Sequence, residues 1–318
     1  VCVPSDFALY DRCSKAFKSI CASYAPVMES FSIDEVFLDM TGTGQIYPDP
    51  IATACEIKDR IYRELGFTVN VGISTNKLLA NMASDFEKPN KVHTLYPEEV
   101  SQKMWPLPVR DLLFLGKASE KKLIQNGIHT IGDLAQANEK EIQMLLGEKS
   151  GHQLYLSANG IDDSPVKAQR DEAKGISVET TFDEDIVSYE QIFPILLSQC
   201  DIVAARMRRE GKKCNCVAVS FRTLEFKNKS HQRKLENPTD VTDEIYQNVK
   251  RLFQESWSVQ PLRLIGVALT GLTEDSFVQM SLFEDPKKRE QQKKLDEAMD
   301  NIRKKFGNDK ISRASTMN

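Results

Sequence analysis

The run Glu29-Ser30-Phe31-Ser32-Ile33-Asp34-Glu35-Val36-Phe37-Leu38-Asp39 sets two adjacent acids between short apolar-rich segments. Neighbouring side chains on an extended strand point to opposite faces, so Asp34 and Glu35 can share a ligand only if the backbone turns there. The Phe, Ile, Val and Leu residues spread over Val27 to Met40 predict that turn, with two strands meeting near Ser32-Ile33-Asp34-Glu35. Two hard carboxylate ligands at a turn suit Mg²⁺ and phosphoryl transfer, in which metal ions stabilise charge on the attacking and leaving oxygens. An isolated Asp-Glu pair is ordinarily solvated surface, so its surroundings decide the reading.

Upstream, Tyr10, Cys13, Phe17, Ile20, Cys21 and Tyr24 recur at three- and four-residue steps, which predicts a helix over Phe7 to Tyr24 with one buried face. Downstream, Ile51 to Leu65 reads as helix and Thr68 to Ile73 as strand. A further helix over Asn76 to Phe86 is expected to stop before Lys88-Pro89, because the residue preceding proline disfavours helix. From Tyr96 to about Asp163 the pattern changes to short helices punctuated by glycine, a small all-helical domain. The polar stretch Asp162 to Lys174 has few apolar anchors and reads as a linker. Beyond it come a strand (Gly175 to Phe182), a helix (Tyr189 to Arg209), two strands (Cys214 to Thr223, Ser230 to Leu235), a helix (Val241 to Trp257) and a strand (Leu262 to Leu269). This β-α-β-β-α-β order builds a four-stranded sheet with helices on one face. A charged tail follows, with Leu295, Met299, Ile302 and Phe306 at helical spacing, a stripe expected to pack.

The 318 residues, 41% hydrophobic and 28% charged, supply enough apolar material for more than one core. No uninterrupted apolar stretch is long enough to span a bilayer, and Val1-Cys2-Val3-Pro4-Ser5-Asp6 does not resemble a signal peptide, so a cytoplasmic protein without membrane contact is expected. The opening on Val1 is expected of a piece of a longer chain. Seven cysteines form an odd set without Cys-x-x-Cys spacing, which points to reduced thiols rather than a disulfide framework or a zinc site. The net charge of -4 gives no global nucleic-acid signal, yet ten basic residues face three acidic ones between Cys200 and Leu235.

Ser32-Ile33-Asp34-Glu35-Val36-Phe37-Leu38-Asp39 resembles the palm signature of the Y-family translesion DNA polymerases of the bacterial polymerase IV class. Val71-Gly72-Ile73-Ser74-Thr75-Asn76-Lys77-Leu78-Leu79-Ala80, followed by Met82-Ala83-Ser84-Asp85-Phe86-Glu87-Lys88-Pro89-Asn90, resembles its second palm signature. The resemblance implies an α+β multidomain fold. Its parts are an incomplete palm (1–96), an all-helical helix-hairpin-helix thumb (97–161), a linker (162–173), a little finger (174–274) and a tail (275–318). It further implies that Asp34 and Glu35 bind two catalytic Mg²⁺ ions, that Lys88 reaches the triphosphate of an incoming dNTP, and that the partner is primer-template DNA bound by a monomer. Leu123 to Leu134 is similar to a helix-hairpin-helix element, which offers backbone N–H groups to a DNA phosphate without reading sequence. Gly116 and Lys117 are the expected contacts, although Leu113-Phe114-Leu115-Gly116 stands where the family commonly has Pro-Gly-x-Gly. In the little finger, Ser177, Arg222, Lys227, Lys229 and Arg233 are expected along strands facing duplex backbone. Gln279-Met280-Ser281-Leu282-Phe283 resembles the tail motif that docks on the sliding clamp. The family's Asp-x-Asp-x-Phe-Phe strand, which supplies a further metal-binding aspartate, occurs nowhere in the chain, and neither does the fingers domain. These 318 residues alone are therefore expected to be inactive. The alternative is a non-catalytic adaptor that holds DNA and clamp.

Overall fold

Helix α1 (Phe7–Ala22) begins where the Asp6 carboxylate accepts a hydrogen bond from the Leu9 N–H, satisfying one of the free donors at a helix start. It lies against α2 (Pro50–Leu65), which Asp49 caps in the same way and Gly66, in the left-handed region at φ 78°, terminates. Between them the hairpin β1 (Val27–Ser30) and β2 (Val36–Asp39) is antiparallel, with Ser30 opposite Val36. Phe17, Ile20, Cys21, Tyr24, Ile57 and Ile61 form the core beneath, joined by Met28, Val36 and Leu38 of the hairpin.

The strand expected over Thr68 to Ile73 forms only as β3 (Val71–Ile73). Next comes α3 (Lys77–Ser84), capped by Asn76, and then β4 (Val92–Thr94), which pairs in parallel with β3 and carries no alternation long enough to be foreseen. Helix α3 runs so close to β3 that a Cβ on Gly72 would stand 1.9 Å from the Ala80 carbonyl oxygen. Five short helices follow: α4 (Val100–Lys103), α5 (Lys117–Gln125), α6 (Ile131–Gln136), α7 (Glu139–Leu146) and α8 (Glu148–Ala158). Their shared core takes in Leu95, Met104, Leu112, Leu123, Ile131 and Leu134, and also Leu78, Leu79 and Met82 of α3. The second signature therefore contributes its buried face to the helical region rather than to the hairpin.

The computed structural model describes residues 3–169, 172–274, 286–308 and 310–316, which fall into two compact units, Val1–Arg170 and Asp171–Asn318. The second unit is built from β5 (Gly175–Ile186), α9 (Tyr189–Arg209), β6 (Lys213–Thr223), β7 (Asn228–Thr239), α10 (Thr242–Ser256) and β8 (Leu262–Thr273). The sheet is antiparallel throughout in the order β5-β8-β6-β7, and α9 and α10 cover one face over Val217, Val219, Phe221, Ile265, Val267 and Leu269. This is the expected β-α-β-β-α-β arrangement, with β7 and β8 each extending four residues past their expected ends.

The tail helix α11 (Pro286–Phe306) returns onto the same unit. Of the expected apolar stripe, Met299 is buried while Leu295 and Phe306 are exposed. Charge holds the helix instead: Arg208 bonds Asp296 and Asp300, Arg303 bonds Asp201 at 2.6 Å, and Arg289 bonds Glu244 at 2.6 Å. Among the described residues no helix is long and apolar enough to cross a membrane. The six described cysteines are free thiols, and burial pushes those of Cys21 and Cys214 up to about 12.

Candidate active site

The turn between β1 and β2 is closed by the Phe31 and Ser32 N–H groups, which both donate to the Glu35 carbonyl at 3.1 and 3.2 Å. Ser32 Oγ accepts from the Asp34 N–H and donates to Asp34 Oδ1 at 2.8 Å, which fixes that carboxylate. Helix α1 holds the turn from behind. Lys18 Nζ donates to the Ser32 carbonyl at 2.7 Å, and Ser14 Oγ donates to the Ile33 carbonyl. Ser14 and Lys18 were not foreseen as part of the site. The available signal was their i,i+4 spacing on the helix that precedes the acidic pair, which puts both on one face.

Asp34 and Glu35 are exposed, and among the described residues no basic side chain pairs with either. An ionised carboxylate is an acceptor-only oxygen ligand, so the pair suits a hard divalent cation and not a thiophilic one. Asp39 is committed elsewhere, accepting from the Thr41 N–H at 2.9 Å, and the hydrogen bonds from Thr41 hold it below the usual carboxylate range. Among the described residues no group of three or more His, Cys, Asp and Glu converges. The donor chemistry of Asp34 and Glu35 thus fits Mg²⁺.

Lys88, in contact with neither acid, pairs with Asp85 at 2.7 Å, and both side chains are more than half exposed. An exposed pair of this kind contributes little, and its lysine can exchange partners at small cost. Gly116 caps α5 in an ordinary extended conformation and without a side-chain hydrogen bond, so the helix presents first-turn N–H groups and Lys117 together. The left-handed position in this loop is Phe114, at φ 67° and 77% exposed. A bulky residue here adopts a backbone that ordinarily favours glycine. Its ring meets Phe31 edge-on at 6.1 Å, and Phe31 meets Phe37 at 5.2 Å.

In the second unit the period of two divides the expected DNA contacts. Cys216, Ala218, Ser220 and Arg222 alternate with the buried Val217, Val219 and Phe221, and so occupy the sheet face without helices. Ser177 shares that face, opposite Ala268, which is itself opposite Ala218. Lys229 and Arg233 stand opposite Phe221 and Val217, on the helix side, where Arg233 pairs with Glu255 of α10. Lys227 sits in the β6–β7 turn, paired with Glu225 at 2.5 Å. The four basic residues therefore do not form one stripe. Arg222 remains on the open face, with Lys234 opposite Cys216, while Glu179 accepts from Ser220 Oγ across it. Gln279 to Phe283 lie outside the described residues.

Comparison with known proteins decides the lineage. Residues 1–85 match the impB/mucB/samB family and residues 173–282 match that family's C-terminal domain, while residues 110–162 match the thumb domain of DNA polymerase iota. DNA polymerase IV of Clostridium acetobutylicum is 42% identical over 311 residues, covering 98% of this chain and 78% of that protein. The chain belongs to the Y-family DNA polymerases. DNA polymerase IV 2 of Bacillus subtilis is 36% identical, covering 97% of this chain and 76% of its own length. A solved Y-family DNA polymerase chimera superposes with a TM-score of 0.76 at 23% identity, over 86% of this chain and 79% of its own, which supports the fold. Within this Y-family chain the three matches fall on the acidic hairpin, the helical region and the β-α-β-β-α-β unit. Lys88 lies just beyond the first match.

Proposed function

We propose that the chain serves template-directed nucleotidyl transfer of the translesion type, adding a nucleotide from a dNTP to a primer 3′-hydroxyl. The observation that carries this reading is the pair Asp34 and Glu35, exposed at a turn whose backbone α1 fixes, with no basic side chain among the described residues paired to either. Two Mg²⁺ ions bound there would stabilise charge on the attacking and leaving oxygens. The protein's own part is placement. Ser14 and Lys18 hold the turn, and Ser32 orients the Asp34 carboxylate. Lys88, released from Asp85, supplies a mobile cation for the triphosphate. In the transfer, the 3′-hydroxyl gives its proton to water, its oxygen forms a bond to the α-phosphorus as the bond from that phosphorus to the α,β-bridging oxygen breaks, and pyrophosphate leaves.

DNA is held without base readout. The open face of the little-finger sheet, small and polar around Ser177, Ala218 and Ser220 with Arg222 and Lys234 at its side, suits close approach of a sugar-phosphate backbone. The first turn of α5, with Gly116 and Lys117, suits a second phosphate contact. Gln279 to Phe283 would dock on a sliding clamp by Leu and Phe anchors, in a protein that works as a cytoplasmic monomer. The family's Asp-x-Asp-x-Phe-Phe strand would complete the metal site, and these 318 residues without it would extend primers weakly or not at all. Primer extension with the full-length gene product tests the reading: Mg²⁺-dependent synthesis should be lost in D34A and in E35A. Synthesis unaffected by both would overturn it, and a wild type that binds DNA without extending primers would favour the adaptor instead. A pull-down on clamp should fail for L282A and F283A, and unchanged capture would remove the clamp from this scheme.

A further inference from the structure

Lys77 closes the run Ser74-Thr75-Asn76-Lys77, and its ammonium sits at a junction that the proposed mechanism does not use. Nζ bonds both carboxylate oxygens of Glu29 at 2.9 and 2.8 Å, lies 3.4 Å from the Pro165 carbonyl and stands 5.1 Å from the centre of the Phe37 ring. Glu29 Oε2 accepts in addition from the Lys167 N–H at 2.8 Å. Both side chains are largely withdrawn from water, at 16% and 17% exposure. Burial alone would raise the Glu29 pKa, and the hydrogen bonds from Lys77 and the Lys167 N–H more than offset it, so the group is held below the usual glutamate range.

Two further bonds run to the same segment. Asn76 Nδ2 donates to the Gly160 carbonyl at 2.9 Å, and the Leu78 N–H donates to Asp162 Oδ2 at 3.1 Å. Residues 160–167, which leave α8 and begin the stretch read from sequence as a linker with few anchors, are thus fastened by polar contacts to the start of α3. Through Glu29 they are also fastened to β1. Glu29 lies directly opposite Phe37 in the β1–β2 pairing, one pair in from the turn that carries Asp34 and Glu35.

A two-stranded ribbon of four-residue strands has little stability of its own and takes its position from its side contacts. Ser14 and Lys18 hold the turn itself, and the Glu29–Lys77 pair holds the strand that leads into it. We propose that Glu29 and Lys77 are positioning residues for the nucleotidyl transfer. They lock the acidic hairpin to the segment leaving the thumb, so that the two carboxylates keep a fixed place relative to the thumb. This role rests on the polymerase reading, while the lock itself does not.

The two parts are tested separately. In hydrogen exchange on this chain, K77M should speed exchange of the Lys167 and β1–β2 amides by about 10-fold or more, because a charge-assisted bond is removed, and should leave α7 and α8 unchanged. Unchanged exchange at Lys167 would overturn the lock. In single-turnover incorporation by the full-length gene product, K77M and E29Q should each lower the maximal rate by about 10- to 100-fold, as expected for sub-ångström misplacement. The dNTP and DNA dissociation constants should stay within about 3-fold, since both side chains are spent on contacts within the protein. K77R should recover part of the rate, and the E29Q/K77M double variant should be no slower than K77M, because one contact is lost in each case. An unchanged rate, additive losses, or an equal loss in the exposed-pair control K15M would overturn the positioning role. A wild type that extends no primer would remove the role together with the polymerase reading, and leave the exchange result standing.

Discussion

Arg208 is the residue on which docking of the tail helix turns, and R208A gives a loss that can be worked from its contacts. Its guanidinium donates to Asp300 at 2.7 and 3.1 Å, to the Asp240 carbonyl at 2.8 Å, to Thr242 Oγ1 at 3.1 Å and to Asp296 at 3.3 Å. The arginine side chain is 9% exposed, Asp296 1% and Asp300 26%. Removing one partner of a buried ion pair costs about 3–5 kcal/mol, since the charge left behind is uncompensated. Here Asp300 can rehydrate and Asp296 keeps the Thr242 N–H at 2.8 Å and Arg313, so the lower end applies. A loss of ~3 kcal/mol in a unit of this size lowers Tm by roughly 6–12 °C. R208K, which keeps the charge and loses the planar fork, should fall by about half as much. Calorimetry on the chain reads the shift, and hydrogen exchange should show the α11 amides exposed first. A Tm change under about 2 °C, or one matched by the more exposed R206A, would refute the ion-cluster account of the tail.

Three more outcomes follow from single features. G72A places a methyl group against the Ala80 carbonyl and the Ser84 N–H, so the first unit should lose about 3 kcal/mol or more in a urea melt, and a wild-type midpoint would show that β3 and α3 separate freely. F114G relieves a left-handed backbone worth ~1–2 kcal/mol and forfeits an edge contact of ~0.5–1.5 kcal/mol, so Tm should not fall; a drop of several degrees would reverse that ranking. Because Glu29 titrates below its ordinary 4.5 in the folded protein, its stabilisation is complete above that pH and lost as pH falls through the depressed value. Exchange at the Lys167 amide, corrected for its intrinsic pH dependence, should therefore rise on acidification below about pH 4.5, and E29Q should abolish the rise.

Much of this was legible in the sequence because the strongest signals are local and periodic. Tyr189–Arg209 forms over the span its spacing predicts, and Phe7, Leu65 and Leu262 bound elements where expected. The hairpin around Asp34 and Glu35 could be read because the acids interrupt two apolar runs. The remainder depended on contacts between distant segments. Glu29, Lys77 and Lys167 carry no pattern that joins them, and the three-residue β4 exists through its pairing with β3. The basic residues of β6 and β7 could be counted but not assigned to faces, because β7 begins at Asn228 and the turn at Phe226, φ 58°, sets the register. The tail helix followed its period, yet arginine–aspartate geometry decides which of its sides is buried.

The central claim is that Asp34 and Glu35, on a hairpin fixed by α1 and by the Glu29–Lys77 pair, are the carboxylates of a nucleotidyl-transfer site. The most direct measurement is single-nucleotide incorporation by the full-length gene product at varied Mg²⁺, for wild type, D34N and E35Q. These isosteric changes remove charge and leave the turn intact. The account predicts a loss of about 10³-fold or more in rate for each variant, with primer-template affinity within about 3-fold of wild type. Incorporation at the wild-type rate by either variant across the Mg²⁺ range would contradict it.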